Sequence, residues 1–375
     1  MELLKYTNKL VKNKIDSDMS IIIKTINSRI INVDSIILSG SFGRDEGSIL
    51  INHNVCQPLN DYDLTVITNE YFDKDELEIL RTDLASMCGI RQVDISLLKP
   101  SNIKKLNFTM ANYDLFFASK VIYGDFYNIF KIPDWKPEDM PHKEAIVPLF
   151  LFLSSIIQSY PINKDLSSDA IFWSYQQITK SILGWSTAML IYEGLYHPSY
   201  SERNKRFQEK FRENEKLCNL VNKATLFKLK PDINPCNIQE LNDFWSEARK
   251  AHLESIKLLL PRFYNYKFVS WDYLIKRHLW SPRGTAKMIL SILLQKHHYY
   301  DCLKIDIAKL YLCLSFDSAD KNKFFKKSKI FLKKLSSYKK SKHSLSTYDE
   351  YIHHLIMHDK NANLFYQRGV DIFYE

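Results

Sequence analysis

The sequence predicts an α+β fold in which a domain of mixed strands and helices is followed by an all-α domain. Three observations predict it. Short β-branched segments alternate with helical periodicity through the first third of the chain, a proline-rich polar stretch follows at 133–144, and helical periodicity dominates the remainder. We therefore expect one domain at 1–132 and a helical domain at 141–375.

The elements of the first domain can be justified in chain order. An apolar helical pattern occupies the first 26 residues, and the β-branched stretch 35–39 predicts a short buried strand. Alternating apolar residues at 62–68 and 91–98 predict two further strands. Between them, 72–88 is typical of a helix with acidic residues in its first turn, where they suit the helix dipole.

The second domain is predicted from long runs of helical periodicity. They lie at 146–160, 168–195, 201–223, 238–260, 284–297 and 303–315. Ser281 and Pro282 are a favourable start for the helix at 284–297, because serine is preferred at the N-cap and proline at the first helical position.

Positive charge is concentrated in one segment. Ten lysines and no acidic residue lie between 321 and 342, and removing these ten charges from the net charge of +9 leaves −1. The apolar residues of the segment have helical spacing. Two interpretations stay open: a helix that packs its apolar stripe on the domain, or a basic helix that contacts RNA or an anionic membrane.

Targeting and redox features favour a cytoplasmic protein. The six cysteines are scattered without the spacing of a zinc or redox motif, and the N-terminus lacks the apolar core of a signal peptide. The most apolar run, 146–157, has 12 residues and a proline, so no transmembrane segment is expected.

A glycine-rich stretch, SGSFGRDEGS at 39–48, follows the first predicted strand. Gly40 permits a tight turn, and Ser41 can cap the helical turn after it. Backbone N–H groups at such a turn can hold a phosphate, although no Walker-type lysine follows. Taken alone, the stretch is a weak signal for phosphate binding and is more typical of a plain loop.

Three aspartates add a second observation. Asp61 and Asp63 lie two apart at the predicted strand 62–68, so both side chains project from one face of the sheet. Asp94 has the same relation to the strand at 91–98. Three carboxylates on one sheet face repel one another unless a cation lies among them, and hard oxygen ligands of this kind suit Mg²⁺.

The ordered combination resembles the DNA polymerase β-type nucleotidyltransferase superfamily, in particular its bacterial small-molecule and minimal members. Gly40–Ser41 after a strand, Asp61 and Asp63 on the next strand, and Asp94 on a later strand match that pattern. The stretch 111–125 also resembles the end of the catalytic domain in those members. The resemblance covers about residues 30 to 125 and implies a mixed β-sheet with flanking helices.

The resemblance also implies roles for individual residues. Asp61, Asp63 and Asp94 would be the catalytic carboxylates and the ligands of Mg²⁺, with Mn²⁺ as an alternative. Gly40 and Ser41 would bind the phosphates of ATP or another nucleoside triphosphate. For Arg44 two readings stay open, neutralisation of the leaving group or a structural role. Because related enzymes cover the nucleotide with their helical domain, Arg203 or Lys180 could reach phosphate.

The implied reaction transfers a nucleoside monophosphate to a hydroxyl and releases pyrophosphate. A small-molecule acceptor is the first expectation. The alternatives are a tRNA or protein hydroxyl, as in toxin-type members, synthesis of a cyclic oligonucleotide, or a nucleotide-sensing regulator without catalysis. The separation of Ser41 from Asp61 exceeds the family's usual spacing, and the extra residues 48–60 predict a hairpin with His53 and Asn54 at its tip.

Overall fold

The computed structural model describes residues 8–52, 55–126, 133–160, 166–279, 298–316 and 321–333. The fold is mixed α and β, as predicted, and it divides into two compact units. The first unit comprises Met1–Pro141, Glu193–Cys218 and Asn222–Ile233. The second comprises His142–Tyr192, Asn219–Val221 and Asn234–Glu375. The chain thus leaves the first unit after Pro141 and returns to it at Glu193.

All the strands among the described residues belong to the first unit. In chain order they are β1 Val33–Ser39, β2 Ile49–Asn52, β3 Val55–Pro58, β4 Tyr62–Thr68, β5 Val93–Leu98 and β6 Lys120–Gly124. Four of them form one sheet in the order β5-β4-β1-β6. β4 and β5 run parallel, whereas β1 runs antiparallel to both β4 and β6. The strands predicted at 35–39, 62–68 and 91–98 are confirmed.

The remaining two strands form the hairpin predicted at 48–60. β2 and β3 pair antiparallel, with Asn52 opposite Val55. The predicted tip, His53 and Asn54, lies outside the described residues. The base of the hairpin is closed by the Leu59 N–H, which donates to the Ser48 carbonyl at 2.8 Å.

The helices are numbered through both units. In chain order they are α1 Lys9–Arg29, α2 Gly40–Gly43, α3 Lys74–Cys88, α4 Pro100–Ile103, α5 Met110–Phe117, α6 Ile146–Leu151, α7 Leu153–Gln158, α8 Ser168–Tyr192, α9 Tyr200–Lys210, α10 Glu215–Leu229, α11 Ile238–Phe263, α12 Trp271–Leu279, α13 His298–Ser315 and α14 Lys321–Lys333. The predicted helix at 201–223 is two helices, α9 and α10. The one predicted at 284–297 lies outside the described residues.

Local sequence explains the bounds of α3. The Asp73 side chain accepts hydrogen bonds from the N–H groups of Asp75 and Glu76, which is the geometry of an N-cap. At the other end, Gly89 has a φ of 62°, a left-handed conformation that ends helices and favours glycine. The prediction of a helix at 72–88 is confirmed.

The two faces of the sheet have separate cores. One face packs on α1 and α3 through a cluster that includes Ile22, Ile36, Leu64 and Leu84. On the other face, a smaller cluster joins Ile37 and Ile67 to the side chains of the following helices and loop. Its remaining buried members are Ile103, Leu115, Phe116 and Phe126. This second core covers the end of β4 that contains Ile67.

Helices alone form the described part of the second unit. Its longest helices are α8 and α11, and α11 begins with a capping box of Asn237 and Glu240. The fully buried His252 is satisfied inside the unit: its imidazole contacts the Ser181 hydroxyl at 2.8 Å and the Leu149 carbonyl at 2.7 Å. These interactions fit a structural role in the core.

The lysine-rich helix α14 packs on its neighbours in the second unit. Ser328 is fully buried and donates to the Ala308 carbonyl at 2.7 Å, and Lys327 forms an ion pair with Asp272 at 2.5 Å. Lys323 and Lys326 are exposed. Residues 334–342 of the lysine-rich segment lie outside the described residues. Within the described part of the chain, no helix is long and apolar enough to cross a membrane.

Candidate metal centre

The three aspartates lie together at one end of the sheet. Asp63 on β4 is opposite Asp94 on the parallel strand β5, and opposite Ser39, the last residue of β1. Asp61 comes immediately before β4. One ligand oxygen from each of Asp61, Asp63 and Asp94 can be chosen so that all three lie within 4.8 Å of one another. The strand register therefore assembles the cluster from residues more than 30 positions apart.

Alternation along β4 explains why two aspartates share a face. Tyr62, between them, points to the opposite side and is fully buried, and its hydroxyl donates to the Asp18 carboxylate at 2.7 Å. Its ring also meets the Phe42 ring edge to face, with the ring centroids 4.7 Å apart. Tyr62 therefore anchors β4 through the face of the sheet that packs on α1, and Asp61 and Asp63 lie on the opposite face.

Burial and the neighbouring negative charges raise the proton affinity of Asp63 and Asp94. Burial, followed by repulsion from Asp61 and Asp94, raises the pKa of Asp63 to about 7. Burial also raises the pKa of Asp94, against the lowering effect of a hydrogen bond that Gln92 donates at 2.6 Å. A cation placed among the three carboxylates would relieve this repulsion.

Two positively charged side chains oppose the rise in the pKa of Asp63. Arg44 and Lys228 both lower the pKa of Asp63 by their positive charge. Lys228 is on α10, and its ammonium group donates to the Asn60 side-chain oxygen at 2.7 Å. Sequence reasoning missed Lys228, because a single lysine near the end of an ordinary helix carries no signal of what it faces.

The glycine-rich stretch lies against the carboxylates. Gly40 has a φ of 63°, and a Cβ atom built on it would lie 1.8 Å from an oxygen of Asp63. Only glycine allows both the backbone conformation and this close approach. Ser41 follows within the short helix α2 and is 7% exposed. Gly40 therefore lies against Asp63, with Ser41 next to it in the chain, and the role of both residues toward phosphate stays a prediction.

Arg44 has a carboxylate partner within the protein. Its side chain is 9% exposed, and Nη1 donates to Asp114 Oδ2 at 3.1 Å. Asp114 in turn accepts a hydrogen bond from the Tyr196 hydroxyl at 2.7 Å. The structural reading that the sequence left open for Arg44 is thus the one with contacts in its favour, and binding of phosphate by Arg44 stays untested.

The segment that returns to the first unit supplies further side chains near the centre. Tyr200, at the start of α9, has the guanidinium carbon of Arg203 4.2 Å from its ring centroid and the Lys228 ammonium 5.4 Å away. Arg203 was a candidate from the sequence. Lys180, the other candidate, lies on α8 in the second unit and is exposed. The sequence carries one signal for this region, the cluster of tyrosines and arginines at 196–206.

The donor set fits a hard divalent cation. Carboxylate oxygens are the ligands that Mg²⁺ and Mn²⁺ prefer, and an open coordination sphere leaves room for water or phosphate oxygens. Asp61, Asp63 and Asp94 could hold such an ion with modest side-chain rotation, since their oxygens already lie within 4.8 Å. No protein-family model, curated protein or solved structure matches this chain.

Proposed function

We propose that this protein is a Mg²⁺-dependent nucleotidyltransferase that transfers a nucleoside monophosphate from a nucleoside triphosphate to a hydroxyl and releases pyrophosphate. The observation that carries the proposal is the row of Asp63 and Asp94 across parallel strands, with Asp61 beside them and Gly40 in contact with Asp63. The sequence resemblance to polymerase β-type nucleotidyltransferases, which rests on the same residues, supports the proposal.

The chain's own residues account for the parts of the reaction. Asp61, Asp63 and Asp94 would hold the divalent ions. When bound, these ions would supply charge neutralisation at the phosphates and lower the pKa of the attacking hydroxyl. Gly40 and the Ser41 N–H and hydroxyl would bind the β- and γ-phosphates. The acceptor oxygen forms a bond to the α-phosphorus, the bond from that phosphorus to the bridging oxygen breaks, and the hydroxyl proton passes to Asp94.

A small molecule with a hydroxyl is the acceptor that we propose first, because the resemblance is to small-molecule members. Incubation with each α-labelled nucleoside triphosphate and Mg²⁺ or Mn²⁺ tests the reaction. The added acceptors would be a set of sugars and aminoglycosides, total RNA, protein extract, or nothing. Label in RNA, in protein or in a cyclic nucleotide product would replace the small-molecule acceptor by the corresponding alternative.

Variants decide whether the carboxylates are responsible. Asp63→Asn and Asp94→Asn should each lower turnover by at least about a hundredfold, since each removes a metal ligand. Asp45→Asn is a matched control from the same loop: Asp45 has a φ of 59°, which asparagine tolerates, and it is paired with Lys120 outside the triad. Nucleotide binding without turnover, unchanged in Asp61→Ala plus Asp63→Ala, would instead indicate a nucleotide sensor.

A further inference from the structure

A buried carboxylate accepts hydrogen bonds from the first turn of helix α9. Glu46 is 1% exposed and accepts hydrogen bonds from the Ser199 hydroxyl at 2.8 Å and from the Tyr200 and Ser201 N–H groups at 2.8 and 3.1 Å. The first N–H groups of a helix lack partners within the helix and attract an anion. The glycine-rich loop therefore supplies the anion at the N-terminus of α9, because the Glu46 carboxylate accepts hydrogen bonds from its first N–H groups.

A second buried contact joins the same two segments. Arg44 donates to Asp114, which also accepts the hydrogen bond from Tyr196, three residues before the N-cap of α9. The guanidinium carbon of Arg44 lies 5.5 Å from the ring centroid of Tyr200. Arg44 and Glu46 thus reach the start of α9 through separate hydrogen bonds, and they also face each other, with Arg44 Nε 3.9 Å from Glu46 Oε2.

The loop between these residues and the metal centre is tightly folded. The Glu46 N–H donates to the Ser41 carbonyl at 2.8 Å. A Cβ atom at Gly43 would lie 2.4 Å from the Leu38 carbonyl oxygen, and one at Gly47 would lie 2.4 Å from the Phe42 ring. Glu46 and Ser41 are therefore joined by a backbone hydrogen bond, and Gly43 and Gly47 pack closely on Leu38 and Phe42 within the loop.

The start of α9 lies in turn beside a cluster of positive charge. Arg203 and Lys228 both lie over the ring of Tyr200. The Lys228 ammonium also donates to the side-chain oxygen of Asn60, the residue before Asp61, at 2.7 Å. The Tyr200 ring is therefore in contact with the lysine that reaches the base of the aspartate cluster.

We infer that Arg44 and Glu46 are positioning residues of this site, which attach the start of α9 to the glycine-rich loop and so hold Tyr200 against Arg203 and Lys228, of which Lys228 reaches the residue before Asp61. The purpose of the attachment rests on the proposed function, because a cluster of cations next to metal-binding carboxylates suits a triphosphate. Arg44 acts through Asp114 and Tyr200, without contacting phosphate itself.

Amide hydrogen exchange tests the attachment without any assay of activity. In Glu46→Ala the Tyr200 and Ser201 amides should exchange at least about tenfold faster than in the unsubstituted protein, because a charged hydrogen-bond acceptor is lost. Glu46→Gln, which keeps the shape and one acceptor oxygen, should lie between the two. Glu202→Gln is the matched control, since Glu202 is in the same turn and pairs with Arg206 instead. Unchanged exchange in Glu46→Ala would overturn the attachment.

Binding of Mn²⁺ and ATP tests whether the attachment of α9 to the glycine-rich loop serves nucleotide binding. Mn²⁺ affinity without nucleotide should stay within about twofold in Glu46→Gln and Arg44→Lys, because neither touches the triad. Their affinity for ATP in the presence of Mn²⁺ should fall about tenfold, with KM rising more than kcat falls. An equal loss of Mn²⁺ and ATP affinity would show that the substitutions only unsettle the fold, and would overturn the inference.

The two proposals fail in different ways. If the unsubstituted protein binds Mn²⁺ but no nucleoside triphosphate, the proposed function is wrong, and exchange at Tyr200 and Ser201 still decides whether Glu46 attaches α9. If the unsubstituted protein turns over nucleotide and Glu46→Gln matches it in ATP affinity and KM, the function stands and the positioning role is wrong.

Discussion

At the scale of single residues, Gly40 is the position at which the candidate metal centre most directly requires one particular amino acid. Its left-handed φ and its contact with Asp63 are separate requirements, and two glycines of this chain distinguish them. Gly89 has nearly the same φ, 62°, but a Cβ atom added there would meet nothing within 4 Å. The two positions therefore differ in steric contact and share the backbone conformation.

We predict that Gly40→Ala abolishes Mn²⁺ binding, whereas Gly89→Ala leaves it intact. Both variants should lose about 1–2 kcal/mol of unfolding free energy to the left-handed conformation. Gly40→Ala should lose more, since the new methyl group must displace the Asp63 carboxylate. Mn²⁺ titration together with urea unfolding measures both effects. Equal behaviour of the two variants would mean that contact with Asp63 is unimportant.

The raised pKa of Asp63 predicts a pH dependence of stability in the metal-free protein. Between the ordinary pKa of an aspartate and the folded value of about 7, the folded state binds more protons at Asp63 than the unfolded state does. The free energy of unfolding must therefore decrease as pH rises through this window. Divalent ions bind the deprotonated carboxylates, so they should stabilise the protein most at the upper end.

The measurement is the thermal unfolding temperature from pH 5 to pH 8, with chelator and then with Mg²⁺. Asp63→Asn should be increasingly more stable than the unsubstituted protein as pH rises without metal, and it should gain little from Mg²⁺. Asp83→Asn, a change in an exposed carboxylate paired with Arg29, serves as the control. A difference between Asp63→Asn and the unsubstituted protein that does not vary with pH would contradict the prediction.

At the scale of elements, periodicity predicted most of what the structure contains. β1, β4, β5 and α3 could be read from alternation and capping residues, because these signals are local. The same alternation placed Asp61, Asp63 and Asp94 on one face. Strand β6 and helix α5 were not separated within 111–125, since their apolar residues are nearly continuous and lack a turn signal.

The lysine-rich helix α14 illustrates a charge pattern with two compatible uses. Ser328 and Lys327 engage neighbouring helices, which favours the packed interpretation for that face of the helix. Lys323 and Lys326 are exposed, so the exposed face that they share could still contact a polyanion, although Lys323 lies one turn before Lys327 and its charge also acts on Asp272. An RNA contact through 321–342 is therefore a proposal about the exposed face.

We predict that Lys323→Gln plus Lys326→Gln weakens retention of tRNA and lowers the salt dependence of binding. Each lysine that contacts a phosphate contributes about one unit or less to the slope of log affinity against log salt. Lys104→Gln plus Lys105→Gln is the matched control, because it removes two exposed charges from the first unit. Equal losses from both pairs would indicate non-specific attraction and rule out a site on α14.

At the scale of the whole molecule, the two units interleave along the chain. Residues in 193–233 supply Tyr196, Tyr200 and Lys228 to the first unit, yet their sequence reads as one more helical stretch. Helical periodicity reports that a helix has a buried face, but not which domain buries it. For this reason the sequence could not predict the contacts of Glu46 and Asp114, which are long-range in the chain.

This arrangement predicts that the first 141 residues will not fold alone. Without the returning segment, Glu46 and Asp114 lose their hydrogen bonds to Ser199 and Tyr196, and the fully buried Phe207 is missing. We expect the free energy lost with these hydrogen bonds and with the buried Phe207 ring to exceed the small net free energy of unfolding of a domain of this size. Urea unfolding of a 1–141 fragment should show no cooperative transition, and the fragment should not bind Mn²⁺.

A shortened chain provides the decisive comparison. A Cβ atom at Gly194 would lie 3.5 Å from the Glu138 carbonyl oxygen. The point where the chain leaves the first unit is therefore close in space to the point where it returns. Joining 1–141 to 193–233 through a short glycine–serine linker costs little loop-closure entropy and restores the missing contacts. We expect this chain to unfold cooperatively and to bind Mn²⁺, with Asp63→Asn abolishing the binding. Cooperative folding of the 1–141 fragment, with Mn²⁺ affinity equal to that of the linked chain, would show that the returning segment is dispensable to the metal centre.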